Sequence, residues 1–428
     1  MLKTSLCFVL IIASGWMTSG VYGAPAGSAD LSVREAAGIR RNAYPVNGRV
    51  AFAKGELKDA SAVRLLLNDR EIATQVSVES RWPDSSIKSL DVDFNASIGP
   101  LERQTYRVEF GNDVKSAVTA SGLSVTQTAE AIQVGAVRFG KTASPLVLSV
   151  AYRQEDIGKG LNGFTVTDEK GTAHELNSEA VTAEIVKPGP IDVFIRYTGK
   201  AAIDGDYSVG FVLTVEMPNS KSWVKYGAIV DDPRKRIRGI AFHSPVAFGG
   251  FPWLWDFGTG SWTYGSFRNA ADSVTLTQTV RPGAERWKIE NGPKGQEQLY
   301  ETAGGGRPKI AEGWGHFQDG KEVIAFAFDK FGQQPGTYSV TFDAHGQETF
   351  QLIPAQPRTR HELAVYQHYV GSPTPIGGDK SRLDAEFAHC PVMGGCNVTP
   401  KRPANKGGEL WICSGGISLW CSRLRLHL

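Results

Sequence analysis

The chain has 428 residues, of which 41% are hydrophobic and 21% are charged, and its formal net charge is +2 at pH 7. Because 46 basic and 44 acidic residues nearly cancel, the composition gives no sign of a nucleic-acid partner or of an anionic membrane surface. A chain of this length exceeds what one hydrophobic core usually organises, so two domains are expected.

The N-terminus has the pattern of a secretory signal peptide. Lys3 supplies a short basic region, and LCFVLIIASGWM supplies an apolar segment that is too short to span a bilayer. Val21-Tyr22-Gly23, before Ala24, offers small residues at the positions that a signal peptidase reads. Residues 1–23 are therefore predicted to be a cleaved signal peptide. The mature protein is expected to be secreted or periplasmic, with no membrane insertion after cleavage.

Short strand-like segments predict a small N-terminal β-barrel over residues 28–112. These segments are rich in β-branched or aromatic residues, often alternate with polar ones, and lie at 63–67, 75–79, 87–94 and 105–110. Turn signals separate them, including Trp82-Pro83-Asp84-Ser85. In that turn Pro83 fixes φ at the second position, and the Asp84 side chain is placed to accept a hydrogen bond from the backbone ahead of it.

Longer strand signals over residues 113–372 predict a large antiparallel β-sandwich, similar to a supersandwich. Residues 181–199 are expected to form two strands about Pro188-Gly189-Pro190, and residues 208–230 a hairpin about Pro218-Asn219-Ser220. Further strands are predicted at 273–281, 322–328, 337–343 and 348–353. The segment 358–370 is ambiguous between helix and strand. The fold class is thus all-β, a small barrel followed by a large sandwich.

A basic run, RKRIR, occupies residues 234–238 after the turn residues Asp231-Asp232-Pro233. Short charge runs usually form solvated faces, and this interpretation is favoured. The alternative is that Arg236 and Arg238 bind an acidic substrate such as a uronate, because a guanidinium binds a carboxylate through two parallel hydrogen bonds.

The stretch FPWLWDFGTGSWTYGSF at 251–267 has seven aromatic residues and contains three of the ten tryptophans of the chain. On a strand Trp253 and Trp255 would share one face. Sugars stack their C–H faces on such rings, so Trp253, Trp255 and Trp262 are candidate substrate-binding residues, with Asp256 as a hydroxyl ligand. The same rings would equally serve as the plug of a large core. The sequence leaves both interpretations open.

The C-terminal segment 373–428 has a different composition. It is rich in Gly and Pro, lacks strand alternation, and carries all the cysteines that remain after signal cleavage, namely Cys390, Cys396, Cys413 and Cys421. No CxxC pair or histidine ladder accompanies them, so no metal site is predicted. The segment is either a disulfide-stapled appendage or a disordered or non-native tail, and the abrupt break in composition favours the second.

Three motifs in the N-terminal region resemble the barrel domain of the exo-acting rhamnogalacturonan lyase-like family of secreted polysaccharide lyases. They are GRVAFAKGEL at 48–57, IATQV at 72–76 and RWPDSSIK at 81–88. In that family the barrel precedes a β-sandwich and then a helical toroid, for which this sequence shows no pattern. Ser85 stands where the family turn has glycine, so a left-handed backbone there would be strained. The resemblance implies an acidic polysaccharide or oligosaccharide of the rhamnogalacturonan or pectin type as partner.

The lyase chemistry implied by this resemblance requires a base, a proton donor and a cation. Tyrosine or histidine with a nearby arginine performs β-elimination on a uronate without metal or cofactor. The predicted catalytic residues are therefore Tyr264, Arg268 and His243, with His316 in the motif GWGHF as a further candidate, and no cofactor is expected. The alternative is a non-catalytic glycan-binding or structural protein outside the cytoplasm.

Overall fold

The computed structural model describes residues 27–36, 38–151, 161–178, 180–259, 262–301, 309–320, 322–370 and 396–401. These residues form 29 β-strands in five sheets and contain no α-helix, which confirms the all-β fold class. Within the same residues, no helix is long and apolar enough to cross a membrane. The predicted signal peptide at 1–23 lies outside the described residues.

Seven strands form the small N-terminal unit. They are β1 (Gly27–Glu35), β2 (Arg41–Ala51), β3 (Val63–Leu67), β4 (Arg70–Ile72), β5 (Gln75–Arg81), β6 (Ile87–Ile98) and β7 (Arg103–Phe110). One sheet has the order β1-β7-β3-β4 and the other β2-β6-β5, and the two sheets close around one core that includes Leu31, Phe94 and Tyr106. The predicted strands 63–67, 75–79, 87–94 and 105–110 all lie within these elements.

The turn between β5 and β6 has the geometry expected from its sequence. Asp84 Oδ1 accepts hydrogen bonds from Ser86 N at 3.1 Å and from Ser86 Oγ at 2.6 Å. Ser85 adopts φ of +66°, in the left-handed region that favours glycine. Trp82 Nε1 donates to the carbonyl oxygen of Phe52 at 3.1 Å. The turn therefore ties the β5–β6 hairpin to the end of β2.

The remaining strands form a four-stranded sheet and the large sandwich. The four-stranded sheet comprises β8 (Val125–Gln127), β9 (Ala131–Val134), β10 (Val137–Gly140) and β11 (Val147–Val150). The sandwich strands are β12 (Gly163–Asp168), β13 (Ala173–Glu175), β14 (Thr182–Pro188), β15 (Asp192–Asp204), β16 (Tyr207–Pro218), β17 (Trp223–Asp231), β18 (Ile237–Pro245), β19 (Trp253–Gly258), β20 (Trp262–Phe267), β21 (Asp272–Val280), β22 (Arg286–Pro293), β23 (Gln298–Glu301), β24 (Trp314–Gln318), β25 (Val323–Phe328), β26 (Gly336–Asp343), β27 (Gln347–Pro354) and β28 (Arg360–Val370). The last described strand, β29 (Cys396–Lys401), pairs with β1.

The sandwich consists of two broad antiparallel sheets. The nine-stranded front sheet has the order β14-β15-β16-β17-β28-β25-β24-β19-β20, and the eight-stranded back sheet has the order β13-β12-β18-β27-β26-β21-β22-β23. One hydrophobic core lies between them and includes Phe242, Phe317, Phe326 and Phe342. Because side chains alternate along a strand, each sheet also has an outer face turned away from the other sheet. The large antiparallel sandwich is thus confirmed, and the ambiguous segment 358–370 contains the central strand β28.

A buried polar network joins the small unit to the front sheet. Lys187 Nζ lies 2.7 Å from Asp93 Oδ1 and 3.3 Å from Asp192 Oδ2. The Gln75 side-chain amide donates to the Asp192 carbonyl and accepts from the backbone N–H groups of Ile191 and Asp192. The two units are therefore held by charged and hydrogen-bonded groups withdrawn from water. The predicted boundaries at 112 and 372 stay predictions, and of the tail 373–428 only β29 is described.

Candidate functional site

The aromatic stretch forms the β19–β20 hairpin at the edge of the front sheet, and its inward side chains belong to the core. Trp253 and Trp255 share one face, as the strand period predicts, and that face packs against the back sheet. Trp253 Nε1 donates to the Gly249 carbonyl at 2.8 Å, and Trp255 Nε1 donates to Asn291 Oδ1 at 3.0 Å. Both indoles are satisfied core groups and offer no stacking face to a ligand in this conformation.

Glycines in the hairpin make room for two indoles on opposite faces. A Cβ at Gly265 would lie 2.4 Å from the ring of the inward Trp255. A Cβ at Gly258 would lie 2.4 Å from the ring of Trp314, which is on the outer face. Neither glycine has a positive φ, so close approach of a ring explains both.

A row of polar side chains crosses the outer face of the front sheet. Tyr264 of β20 stands directly opposite Asp256 of β19, which stands directly opposite His316 of β24. Directly opposed residues of antiparallel strands have Cβ atoms about 5 Å apart, so these three side chains are immediate neighbours. Tyr264 is 49% exposed, whereas Asp256 and His316 are buried. The structure therefore brings together two predicted residues, Tyr264 and Asp256, with the further candidate histidine.

His316 is a buried imidazole that lacks hydrogen bonds. The side chain is 0% exposed, and neither Nδ1 nor Nε2 has a hydrogen-bond partner. Burial lowers the pKa of His316 to about 4, so the ring is neutral at pH 7. Buried polar groups are nearly always paired, and an unpaired one costs about 1–3 kcal/mol. This imidazole therefore has one donor and one acceptor that no described group engages, and both are closed off from solvent.

His243 lies on the opposite surface of the sandwich. It belongs to β18 of the back sheet, where the neighbouring Phe242 points into the core, so His243 points outward. Its Nε2 lies 2.9 Å from Thr165 Oγ1 and its Nδ1 lies 3.2 Å from Thr349 Oγ1, so both ring nitrogens are hydrogen-bonded. Burial lowers the pKa of His243 to about 4. The two packed sheets separate this ring from Tyr264 by more than about 10 Å, and the structure does not bring the two residues together.

Two arginines of the RKRIR run contact acidic residues of both sheets, since Glu169 follows β12 of the back sheet and Asp204 ends β15 of the front sheet. Arg236 donates to Glu169 Oε1 at 2.9 Å and to Asp204 Oδ2 at 3.0 Å. Arg238 donates to the Lys235 carbonyl at 2.7 Å and lies 3.8 Å from Glu169 Oε2. These contacts favour a solvated loop whose charges are neutralised internally over a binding site for a substrate carboxylate. Neither arginine belongs to the outer-face row.

Arg268 follows β20 at the edge of the front sheet. Its backbone N–H donates to Asp272 Oδ2 at 2.8 Å, and its side chain is exposed. Among the described residues, no carboxylate forms an ion pair with its guanidinium. Residues 264 and 268 are about 13 Å apart along an extended chain.

The outer face also carries an aromatic cluster that the sequence analysis did not predict. Trp223, Trp314 and Tyr366 pack around Ala325 and Ala327, apart from the main core. The rings of Trp223 and Tyr366 meet edge to face with centroids 5.1 Å apart. These residues come from three strands far apart in sequence, so only the sheet order brings them together. Sequence periodicity gave no indication of this.

The remaining substrate-binding candidate, Trp262, belongs to β20, where its backbone pairs with Gly258. Its side chain is not among the described groups. In the part of the chain that the structure describes, no cluster of three or more His, Cys, Asp or Glu side chains is arranged to hold a metal ion.

Comparison with known proteins shows the fold only. No protein-family model matches the chain, and no curated protein matches it in sequence. A protein of glycosyl hydrolase family 38 from Enterococcus faecalis aligns over 90% of this chain and 48% of its own, with 11% identity and a TM-score of 0.51. An α-mannosidase from Enterococcus faecalis V583 aligns over 90% of this chain and 47% of its own, with 11% identity and a TM-score of 0.51.

The chain thus spans about half the length of these two structures. A putative aldose 1-epimerase from Klebsiella pneumoniae aligns over 82% of this chain and 96% of its own, at 9% identity and a TM-score of 0.33, which is too low to carry an argument. The class that the fold defines is an all-β protein with a two-sheet antiparallel sandwich, an architecture shared with proteins named as carbohydrate-active enzymes. None of these similarities is to a rhamnogalacturonan lyase.

Proposed function

We propose that this protein binds and processes a polysaccharide or oligosaccharide, outside the cytoplasm, on the outer face of its front sheet. The observation that carries the proposal is the row Tyr264–Asp256–His316, in which an exposed phenol adjoins a carboxylate and an unpaired neutral imidazole. An aromatic ring with polar neighbours is the arrangement that recognises a sugar, through stacking on the ring and hydrogen bonds to hydroxyls. The structural likeness to carbohydrate-active enzymes is consistent with it.

The finer proposal is an acidic sugar. Arg268 is the exposed cation nearest in sequence to Tyr264, and no described carboxylate occupies it, whereas Arg236 and Arg238 are already neutralised. A guanidinium in this state favours a uronate carboxylate. In this proposal Arg268, rather than the RKRIR run, would bind the uronate carboxylate.

Cleavage by β-elimination follows from the same residues. The Tyr264 oxygen would take the proton at C5 of the uronate while the phenol passes its own proton to the neighbouring Asp256, and Arg268 would neutralise the uronate carboxylate. The C5–H electron pair then forms the C4–C5 double bond, and the C4–O bond breaks. The leaving oxygen takes a proton from water or from the row of side chains. His316 replaces His243 in this scheme because it is the histidine on the same face.

Glycoside hydrolysis is the second candidate, favoured by the placement of two carboxylates. Asp256 and Gly258 are alternate residues of β19, about 7 Å apart, on the same face. Glu312 Oε2 would lie 2.7 Å from a Cβ built on Gly258. Two carboxyl groups roughly 5–9.5 Å apart are what hydrolytic glycosidases require. The products differ, since hydrolysis leaves saturated ends and elimination leaves unsaturated ones.

The test incubates the purified protein with a pectic uronate polymer and with a neutral polysaccharide. Ultraviolet absorbance reports unsaturated ends, a reducing-sugar assay reports every cleavage, and tryptophan fluorescence reports binding. We expect unsaturated ends from the uronate polymer only. Reducing ends without absorbance would favour hydrolysis, a fluorescence change alone would favour binding without turnover, and no response in any channel would refute the proposal.

Two variants assign the roles. Tyr264→Phe keeps the stacking ring and removes the base, so elimination should fall by at least about 100-fold while binding persists. Arg268→Gln should weaken uronate binding about tenfold, since a hydrogen bond to a charged group contributes about 1.5–3 kcal/mol. Arg238→Gln, on a guanidinium away from the row, is the matched control and should leave both properties unchanged.

A further inference from the structure

We infer that Phe251 forms a second sugar-binding position at the open end of the β19–β20 hairpin, so that the ligand is a chain of sugar units and not a single sugar. This inference rests on the proposed carbohydrate function. Among the aromatic residues of the 251–267 stretch whose burial is described, only Phe251 and Tyr264 are exposed, at 36% and 49%. Each of these two rings therefore offers a surface that a ligand reaches without any movement of the protein.

Trp253 covers one face of the Phe251 ring and leaves the other open. The two ring centroids are 4.5 Å apart, and the ring planes are tilted by 35°. Trp253 itself is 6% exposed and donates from Nε1 to the Gly249 carbonyl at 2.8 Å, so it is a fixed support. Because this indole occupies one side of the phenyl ring, the exposed area of Phe251 belongs to its other face and its rim.

The loop that carries Phe251 is anchored by hydrogen bonds and has open space beside it. The Gly249 N–H donates to Asp319 Oδ2 at 2.6 Å, and the Gly249 carbonyl is the acceptor for Trp253. A Cβ built at Gly250 would meet no atom within 4 Å beyond its chain neighbours, so nothing crowds the loop at this point. A ring held from below and open above is preorganised for stacking, which reduces the entropy lost on binding.

The register of the hairpin places this loop beside Arg268. The outermost pair of β19 and β20 is Trp253 with Phe267, so Arg268 leaves β20 at the position where the loop enters β19. The Arg268 side chain is exposed, and Tyr264 lies about 13 Å from it along β20. The three groups therefore follow one edge of the front sheet in the order Tyr264, Arg268, Phe251, over a length greater than one sugar unit.

A sugar unit next to the one bound at Arg268 would stack on Phe251. Sugars present patches of C–H groups to the face of an aromatic ring. The phenyl ring has no hydrogen-bonding group, so this position recognises the shape of a pyranose and accepts an acidic or a neutral unit. The ligand class is therefore an oligosaccharide or polysaccharide in which an acidic unit adjoins at least one further pyranose.

The dependence of affinity on chain length tests this inference. Titration calorimetry compares oligogalacturonates from the monosaccharide to the hexasaccharide, with malto-oligosaccharides of the same lengths as the neutral series. We expect the wild-type affinity for oligogalacturonates to rise with length. Phe251→Ala should bind the longer oligomers about two- to tenfold more weakly and the shortest like the wild type, because only the stacked unit loses its contact. Phe251→Trp, which keeps an aromatic face, should retain the gain with length.

Ile353→Ala is the matched control, because Ile353 is an apolar side chain of similar exposure, 41%, on β27 of the back sheet. It should leave the affinity unchanged at every length. If Phe251 only covers Trp253, then Phe251→Ala lowers the melting temperature without changing the dependence on length. That result, an equal loss at all lengths, or a wild-type affinity that does not rise with length would overturn the inference and leave the proposed function intact. A wild type that binds neither series would refute the proposed function itself.

Discussion

Replacing Lys187 by methionine tests the buried ionic network between the small unit and the sandwich. The Lys187 side chain is 5% exposed and lies between the carboxylates of Asp93 and Asp192. Burial alone would lower the pKa of Lys187, but the two carboxylates outweigh it and raise that pKa above its ordinary value. Burial raises the pKa of both aspartates, and Lys187 opposes that rise. The lysine is therefore the group that allows carboxylate charge at this interface.

Removal of one partner from a buried ion pair costs about 3–5 kcal/mol, because the remaining charge is left without compensation. The cost should fall at the upper end of this range, since Asp93 Oδ2 and Asp192 Oδ1 already lack hydrogen-bond partners. For a unit of 150–250 residues this corresponds to a drop of roughly 6–20 °C in melting temperature. Differential scanning calorimetry at pH 7 measures it directly.

The pH dependence of the variant provides an independent check. Without Lys187 the folded-state pKa values of both aspartates rise further above their unfolded values. A carboxyl group with a raised folded pKa destabilises the protein above that pKa, and the penalty disappears as the pH falls through it. The melting temperature of Lys187→Met should therefore approach that of the wild type between pH 7 and pH 5. Adding Asp192→Asn should recover part of the loss at pH 7.

Lys170→Met is the control, because Lys170 forms an ion pair with Asp204 in which both side chains are largely exposed. Such pairs contribute little, so its melting temperature should match the wild type. The reasoning would be refuted if Lys187→Met were as stable as Lys170→Met at pH 7. It would also fail if the stability gap between Lys187→Met and the wild type widened on acidification.

Three further predictions concern single sites. Ser85→Gly should raise the free energy of unfolding by roughly 0.5–1 kcal/mol. The left-handed backbone of Ser85 costs about 1–2 kcal/mol, which exceeds the extra chain entropy that glycine loses on folding. Urea unfolding measures the gain. The free energy of unfolding of the wild type should fall between pH 6.5 and pH 4. The reason is that burial lowers the pKa values of His243 and His316 to about 4, so these rings resist the protonation that the unfolded chain accepts. Chemical denaturation at successive pH values tests this, and a stability that does not change with pH contradicts it. His316→Leu should reduce that slope.

Local sequence signals predicted most of the sandwich strands and several turns. The hairpin at 208–230 and the strand pair around Pro188-Gly189-Pro190 formed as expected, because alternation and turn residues act over a few positions. The segment 358–370 was ambiguous because part of β28 is buried on both faces. Val365 and Gln367 are buried on one face and Tyr366 on the other, so the alternation is lost there. Its role depends on its neighbours β17 and β25, which periodicity does not report.

The site was harder to predict than the fold because it depends on sheet order. Tyr264 and Asp256 are eight positions apart and meet through a hairpin, so both could be selected from one stretch of sequence. His316 reaches them through a strand that follows some 50 residues later in the printed sequence, and neither its face nor its partner is encoded locally. His243 carried an equally good local signal, yet the back sheet places it on the opposite surface. The residue types suggested the chemistry, and the order of strands in the sheet determines which of those residues lie on the same face.

The aromatic stretch was interpreted either as a sugar-binding surface or as part of the core. The two-residue period of a strand divides its side chains between an inward and an outward face. The inward side chains, which stabilise the hairpin against the back sheet, are those of Trp253, Trp255 and Phe257. Asp256 of the same strand and Tyr264, opposite it on β20, point outward. Gly265 accommodates an inward indole and Gly258 an outward one. A one-residue slip would exchange the two sets, so burial of the inward rings is what fixes the outward residues in register. The core tryptophans would then contribute to carbohydrate binding without touching the ligand, by holding the carboxylate and the phenol in one row.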